Sequence, residues 1–245
     1  MSNLSRRKLI TTGLAATAGV SGLAVAASLA DRYGLIPPDH GGIYGPGETL
    51  TYASQRLLTR HSLAREFPRG QISKTPFPNG KPPKGEDFRR LQAREFAGWR
   101  LAIDGMVTRP SSLSLAELRN YPSRSQITHL ACEEGWSFIA EWIGVPLFHV
   151  LNVVGILPQA RYVVYFSMER GWWDSVDMAD ALHPQTLLTY GMNGGELPVG
   201  HGAPLRLRVP RQLGYKSVKY ITRLTVTDSL EKFSPEGSYS WYAGM

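Results

Sequence analysis

Residues 132–137, Cys-Glu-Glu-Gly-Trp-Ser, follow a hydrophobic run, Gln126–Cys132, that predicts a β-strand. Cys132 is the only cysteine among 245 residues, so it cannot form an internal disulfide. A lone thiol is then a core residue, a nucleophile or a metal ligand. The polar, glycine-containing sequence after Cys132 favours a position where the strand meets a loop. An inert core cysteine remains the alternative.

Zinc bound by protein ligands alone is not indicated. The chain has no second cysteine, and its six histidines show no metal-ligand spacing. A thiolate is a soft ligand that suits transition metals. One protein ligand therefore implies that a cofactor supplies the other ligands of any metal at Cys132.

The segment His201–Arg208 is a candidate anion site. Arg206 and Arg208 are two residues apart on a predicted strand, Pro204–Val209, so both side chains lie on the same face. Two guanidinium groups on one face can bind a phosphate with paired hydrogen bonds. The exposed face of an edge strand is the alternative.

The segment Gly214–Lys219 is a second candidate anion site. Lys216, Ser217 and Lys219 supply hydrogen-bond donors next to a flexible glycine. The spacing of a P-loop is absent, and a polar hairpin is the alternative. Together with Cys132, the two segments suggest a metal carried on a phosphorylated organic cofactor.

The composition indicates one sizeable core in a loop-rich fold. Hydrophobic residues make up 42% of the chain, which also has 25 glycines and 17 prolines. The formal net charge is +7, but the basic residues are scattered, which argues against a nucleic-acid partner.

The N-terminal residues 1–30 are typical of a twin-arginine signal or anchor. Arg6-Arg7-Lys8 precedes a weakly apolar stretch, Leu9–Ala30, that is long enough to span a bilayer. We expect periplasmic export of a folded protein, with an uncleaved membrane anchor left open. The alternative is a chance arginine pair before a general secretory signal or a helix.

The remaining chain predicts two regions. Residues 31–90, rich in Gly, Pro and charge, predict an extended arm with a short helix at 49–58. Residues 91–245 predict the main domain, of α+β class with mixed sheets and short helices. Its predicted strands are Trp99–Gly105, Gln126–Cys132, Arg161–Ser167, Leu187–Met192, Pro204–Val209 and Val218–Asp228, and its predicted helices follow Ser114 and cover Pro146–Val154 and Asp177–Leu182.

Taken together, four ordered segments resemble the molybdopterin-binding domain of the sulfite oxidase family, most closely its periplasmic methionine sulfoxide reductase catalytic subunits. The segments are 132–137, 142–147, 181–187 and 202–207. The resemblance covers Trp99 to Asp228, and it implies the sulfite oxidase-type molybdopterin-binding fold.

The resemblance also implies the cofactor and its contacts. A mononuclear molybdenum would be held by the dithiolene of molybdopterin and by Cys132, with Glu134 close to the metal as a proton donor. Cofactor contacts are implied for a further set of residues. These are His61, Arg65, Glu66, Ser167, His201, Arg206, Ser217, Val218 and Lys219.

The implied function is oxygen-atom transfer by an exported enzyme, with reduction of a small S-oxide or N-oxide expected. Electrons would come from a membrane heme protein or a soluble cytochrome, and a monomer is expected. Sulfite oxidation is an alternative, because His201 stands where the reductases have Asn and sulfite oxidases tend to have His. A non-enzymatic envelope protein is the other alternative. No arginine-rich sulfite pocket is evident, so the sequence leaves the substrate open.

Overall fold

The computed structural model describes residues 24–26, 28, 30, 35, 45–230, 232 and 233. The chain divides into two compact units, one ending at Thr59 and the other beginning at Arg60. In the first unit, the predicted short helix is present as α1, Gly45–Thr59. The second unit contains the strands, short helices and mixed sheets of the predicted α+β fold. The α+β prediction is therefore confirmed.

The helices of the second unit are short and the strands carry most of the regular structure. The helices are α2 Glu86–Ala93, α3 Leu115–Arg119, α4 Leu147–Val154 and α5 Met178–Ala181. The strands are β1 Arg100–Gly105, β2 Ser111–Ser114, β3 Arg124–Ala131, β4 Ser137–Pro146, β5 Tyr162–Ser167, β6 Trp173–Asp177, β7 Leu187–Met192, β8 Gly195–Glu196, β9 Arg206–Arg208 and β10 Ile221–Thr227. Short 3-10 turns cover Arg69–Gln71, Val199–His201 and Gly214–Lys216.

The strands form two sheets. The first has the order β2-β1-β10-β5-β6, with β1 and β10 parallel and the other neighbours antiparallel. The second has the order β3-β4-β7-β8, and β9 also pairs with β7. All of its pairs are antiparallel. β9 therefore places Arg206 and Arg208 in the same sheet as β3, which ends next to Cys132.

Local sequence signals account for the helix ends. The Ser114 hydroxyl accepts a hydrogen bond from the Glu117 amide, and the Glu117 carboxylate accepts one from the Ser114 amide, so a capping box begins α3. Helix α4 ends at Gly155, whose φ of +70° is left-handed. The Asp177 carboxylate caps α5 through the Asp180 amide.

The core has two parts. The larger cluster joins both sheets and α4, with residues such as Leu101, Val163 and Leu224 from the first sheet and Val145 and Leu188 from the second. A smaller cluster lies beneath the Cys132 loop. Its buried members are Leu130, Phe138, Ala140, Trp142, Met192, Leu197 and Ala203. Burial of apolar surface on this scale supplies the main stabilising free energy of the fold.

Several features differ from the sequence prediction, which did not include strands β2 and β6 or helix α2. Strand β4 was not predicted, although it pairs with both β3 and β7 along the middle of its sheet. The sequence Asn193-Gly194-Gly195 predicts a turn directly between β7 and the Pro204–Val209 strand, but this turn joins β7 to the two-residue β8, which begins at Gly195. The pairing of β9 with β7 is instead reached through the 3-10 turn Val199–His201.

The predicted N-terminal signal falls on residues of which little is described. Arg6-Arg7-Lys8, and all but a few positions of 1–30, lie outside the described residues. Among the helices that the structure does describe, none has the length and apolar character of a membrane span. The predicted domain limits at 30 and 90 stay predictions.

Candidate active site

Cys132 lies immediately after β3, at the start of a tight loop. Its amide donates to the Trp136 carbonyl at 2.9 Å, and its carbonyl accepts from the Gly135 amide at 3.1 Å. Gly214 packs against this loop so closely that a Cβ there would lie 3.2 Å from the Ala131 oxygen and 3.6 Å from the Cys132 Cα. The loop and Gly214 therefore fix the thiol at the junction of two segments that the sequence had singled out separately.

Two carboxylates lie close to the thiol. The Cys132 Sγ is 3.2 Å from Glu133 Oε2 and 3.9 Å from Glu134 Oε2. Burial, together with the neighbouring Glu133 carboxylate, raises the pKa of Cys132 to about 11 against the opposing effect of the Glu134 amide. In this environment the free thiol holds its proton, so a thiolate requires a cation nearby.

The thiol lines a cavity of about 220 Å³, and the side chains around this cavity include a basic, an acidic and an aromatic group. The basic group is His201, Arg206, Lys219 and Lys81; the acidic group is Glu133, Glu134 and Glu169; and the aromatic group includes Phe77, Trp136 and Trp172. The arm, the β3–β4 loop, the β5–β6 turn and the 200–219 region thus meet around one cysteine.

Arg206 is buried at the base of the cavity and is held in place by backbone carbonyls. Its Nη1 donates to the His201 carbonyl at 2.9 Å and its Nη2 to the Ser217 carbonyl at 2.7 Å. Arg206 and Arg208 both lie over the Trp142 ring, with guanidinium carbons 5.0 and 5.6 Å from its centroid. The prediction that the two arginines share a face is correct, but only Arg206 lines the cavity.

Lys219 and His201 belong to the basic group beside Arg206. The Lys219 ammonium donates to the Gly200 carbonyl at 3.0 Å and to the Asn79 carbonyl. Burial lowers the pKa of Lys219 to about 8 and that of Arg206 to about 10. Burial together with these two cations lowers the pKa of His201 to about 4, so its imidazole is neutral at pH 7.

Within the described part of the chain, neither Arg206 nor Lys219 forms an ion pair. Among the described residues, no carboxylate oxygen lies within 4 Å of a nitrogen of Arg206, Arg208 or Lys219. Burying a charge is costly unless it is paired, and carbonyl hydrogen bonds compensate only part of that cost. The arrangement is therefore one that an external anion would stabilise.

The other predicted residues of this region lie near the cavity in supporting positions. Val218 lines it, and its carbonyl accepts from the Leu207 amide at 2.9 Å. The Ser217 hydroxyl accepts from the Val209 amide at 3.1 Å. The Ser167 hydroxyl donates to the Lys219 carbonyl at 2.9 Å. Neither serine lines the cavity, and their roles as cofactor contacts stay predictions.

The three predicted contacts from the arm lie elsewhere. His61 lines a separate cavity of about 320 Å³. Arg65 lies over the Phe67 ring at 4.8 Å. Glu66 forms an ion pair with Arg124 at 2.5 Å. The structure does not bring these residues to the Cys132 cavity, and their roles stay predictions.

Lys216 differs from the sequence interpretation. It was expected among the donors of an anion site, but its ammonium donates to Asp174 at 2.6 Å and to the Ser175 carbonyl at 3.0 Å. The side chain is 1% exposed and points into the protein, away from the cavity. Lys216 is therefore part of a buried ion pair.

Comparison with known proteins decides the family. Residues 89–233 match the model of the oxidoreductase molybdopterin binding domain. The chain belongs to this family. A protein from Azospira oryzae that carries the name protein-methionine-sulfoxide reductase subunit YedZ1 is 38% identical over 189 residues, which are 77% of this chain and 70% of the relative.

Further relatives share part of their length with this chain. The protein-methionine-sulfoxide reductase catalytic subunit MsrP of Xanthomonas axonopodis pv. citri is 33% identical over 162 residues, which are 60% of this chain and 50% of MsrP. The chain thus spans half the length of that relative. The crystal structure of the sulfane dehydrogenase SoxCD from Paracoccus pantotrophus shares the fold, with a TM-score of 0.53 and 21% identity over 69% of this chain and 46% of the SoxCD chain.

The residues of the Cys132 cavity fit the molybdenum-molybdopterin cofactor of the family. The cofactor carries a phosphate, and buried Arg206 and partly buried Lys219 are cations with no carboxylate within 4 Å among the described residues. It also carries a metal, and Cys132, which lines the cavity, would supply a soft sulfur ligand. The chain is accordingly a molybdopterin-binding oxidoreductase.

Several lining residues were missed by sequence reasoning. Glu133 is closer to the thiol than Glu134, which the sequence had favoured. Phe77, Glu169 and Trp172 come from segments without a recognisable motif. The adjacent pair Glu133-Glu134 was a visible signal, whereas nothing in the arm marked Phe77 before its place in the fold was known.

Proposed function

We propose that this molybdopterin oxidoreductase reduces a small organic S-oxide, such as a methionine sulfoxide side chain, to the thioether. The names of the relatives from Azospira oryzae and Xanthomonas axonopodis support this reaction. The observation that carries it is the meeting, in a single cavity, of one thiol with buried and partly buried cations that form no ion pair among the described residues.

Different residues of the Cys132 cavity would bind the metal, bind the phosphate and donate protons. When bound, the cofactor supplies oxygen-atom transfer coupled to a two-electron change at its metal. Cys132 would hold the metal, and His201, Arg206 and Lys219 would bind the phosphate. Reduction of an S-oxide to a thioether and water consumes two electrons and two protons. Glu134, 3.9 Å from the Cys132 sulfur, is the predicted proton donor, and Glu133 is a second carboxyl close enough to hold a proton there.

Charge around the cavity argues against sulfite as the substrate. Besides the cations proposed to bind the cofactor, the lining residues include Lys81 but also Glu133, Glu134 and Glu169. Three carboxylates repel a dianion, whereas a neutral S-oxide meets no such penalty. We therefore favour the S-oxide over the sulfite-oxidising alternative.

Electrons would come from a separate redox partner. The relatives are named as a subunit and a catalytic subunit, which supports an arrangement with a further component. A membrane heme protein or a soluble cytochrome would fill this role.

We further propose twin-arginine export to the periplasm, supported by Arg6-Arg7-Lys8. Cell fractionation tests it: an Arg6→Lys/Arg7→Lys double variant should stay in the cytoplasm.

Replacement of the metal ligand tests the reaction. The wild type, purified from a host that makes the cofactor, should contain molybdenum and reduce methionine sulfoxide with a reduced dye as electron donor. Cys132→Ser should reduce turnover to background, because serine lacks the soft sulfur. Metal analysis and thermal unfolding of both proteins separate loss of the ligand from loss of the fold. A wild type without molybdenum, or a Cys132→Ser variant with full turnover, would contradict the proposal.

A further inference from the structure

The cavity has an aromatic side that the cofactor contacts do not use. Phe77 and Trp136 both line it, with ring centroids 5.2 Å apart and an interplanar angle of 53°. Trp136 in turn stacks on Phe138 at 6.1 Å and 10°. Phe138 belongs to the smaller core cluster, so the stack is anchored in the protein interior. The pair Phe77–Trp136 is called the aromatic wall below.

Phe77 is held at the cavity although its side chain is 51% exposed. The segment before it is fastened to β4, because the Ser73 amide donates to the Ile139 carbonyl at 2.9 Å and the Ser73 hydroxyl accepts from the Ile139 amide at 3.0 Å. The segment after it is fastened by Lys219, which donates to the Asn79 carbonyl. A large apolar ring thus stays accessible at the cavity and is fixed from both sides.

Glu134 fixes the other half of the aromatic wall. Its Oε2 accepts the Trp136 indole N–H at 2.7 Å, a shorter distance than the 3.9 Å from that oxygen to the Cys132 sulfur. A charged acceptor makes this hydrogen bond strong and directional. The carboxylate therefore sets the orientation of the indole ring beside the thiol.

We propose that the aromatic wall binds the alkyl part of the S-oxide substrate and that Glu134 is a positioning residue for Trp136. The proposal rests on the proposed function. A thioether S-oxide combines a polar S–O group with apolar carbon chains, and aromatic faces and edges make favourable contacts with alkyl groups and with the sulfur of the thioether product. The wall thus selects S-oxides with a long alkyl substituent, such as the methionine sulfoxide side chain, over dimethyl sulfoxide.

The test compares two substrates in the molybdenum-loaded enzyme. Phe77→Ala should raise KM for a peptide methionine sulfoxide by roughly fivefold to tenfold and leave kcat and the KM for dimethyl sulfoxide nearly unchanged. Phe148→Ala, which removes a ring on α4 outside the cavity lining, is the matched control and should change neither KM. An equal KM in Phe77→Ala and the wild type would overturn the proposal.

A pair of Glu134 variants tests the positioning role. Glu134→Gln keeps a side-chain oxygen that can accept the indole N–H, so its KM for the peptide should match the wild type. Glu134→Ala removes the acceptor and should raise that KM as Phe77→Ala does. A change in kcat in either Glu134 variant would test the separate prediction that Glu134 donates a proton. A wild-type KM in Glu134→Ala would overturn the positioning role.

The outcomes also separate this proposal from the function on which it rests. A wild type that reduces both S-oxides, but whose KM values do not respond to Phe77→Ala, overturns the aromatic wall alone. A molybdenum-loaded wild type that reduces neither S-oxide overturns both. Molybdenum content is measured in every variant, so a change in KM is not confused with loss of the cofactor.

Discussion

Lys216 and Lys219 are three residues apart in one loop, yet the buried ammonium group of the first and the partly buried ammonium group of the second have different kinds of partner. Lys216 pairs with the Asp174 carboxylate at 2.6 Å, and both side chains are 1% exposed. Lys219 donates to the carbonyls of Asn79 and Gly200, and no carboxylate among the described residues lies within 4 Å of it. Arg206 resembles Lys219 in this respect.

The difference separates structural cations from cations that serve a ligand. A buried cation with an internal carboxylate is compensated, so it contributes to the fold and has little to offer a ligand. A buried cation bonded only to neutral carbonyls keeps its charge uncompensated, and an anion that enters the cavity relieves this. The contrast predicts opposite behaviour on mutation, which the experiments below measure.

Replacing Lys216 should have the largest effect on stability. Lys216→Met leaves the Asp174 carboxylate, which belongs to a residue 0% exposed, without its cation. The free energy of unfolding of the cofactor-free protein should fall by about 3–5 kcal/mol, as measured by urea unfolding. The double variant Lys216→Met/Asp174→Leu should recover most of this loss. A Lys216→Met protein as stable as the wild type would remove the distinction between the two lysines.

The orientation of Lys216 shows where sequence reasoning ends. Residues in a 3-10 turn point in different directions, and Asp174 lies 42 positions away on β6. The sequence shows the donors of Gly214–Lys219 but does not show which of them meets a carboxylate. The same limit applies to Phe77, because its place beside Trp136 depends on how the arm crosses β4.

Features that depend on residues adjacent in the sequence could be predicted. The Ser114 capping box and the stop of α4 at Gly155 follow from a few adjacent positions, and both are present. Cys132 and Arg206 were singled out by residue type and spacing, and both line the cavity. Strand β4 was missed because its residues are buried on both faces for much of its length, so the alternation that marks a strand is weak.

Replacing Arg206 should mainly weaken retention of the cofactor. Arg206→Met removes a charged donor to the phosphate, a loss of about 2–3 kcal/mol or roughly a hundredfold in affinity. The cofactor-free variant should lose far less stability than Lys216→Met, because no internal carboxylate is left unpaired. Molybdenum content after prolonged dialysis measures the first effect and urea unfolding the second.

Arg223 offers the matched control for Arg206. It pairs with Asp104 at 2.8 Å on the surface of the first sheet, and its side chain is 52% exposed. Arg223→Met should change both measurements only slightly, because exposed ion pairs contribute little. Full cofactor retention in Arg206→Met would place the phosphate elsewhere in the fold.

The smallest expected effect concerns Lys219 and a simple anion. Sulfate should stabilise the cofactor-free wild type, by about 1.4 kcal/mol at ten times its Kd, because it binds the folded cation group and not the unfolded chain. Sodium chloride at the same ionic strength controls for general screening. Thermal unfolding at several sulfate concentrations gives the measurement.

The pH dependence of this stabilisation identifies the group that binds. Burial and the nearby Arg206 lower the pKa of Lys219 from 10.5 to about 8, while Glu169 acts in the opposite direction. Without an anion, the lowered pKa makes protonation of Lys219 favour the unfolded chain, so stability from this group falls as the pH drops from 10.5 to about 8 and is constant below that. Sulfate binding needs the protonated form, so the stabilisation by sulfate should be largest below pH 8 and decline above it.

His201, with a pKa of about 4, and Tyr220, with a pKa of about 12, do not change charge in this range. Lys219→Met should remove the step near pH 8, whereas a step that persists in the variant would assign the anion site to other cations.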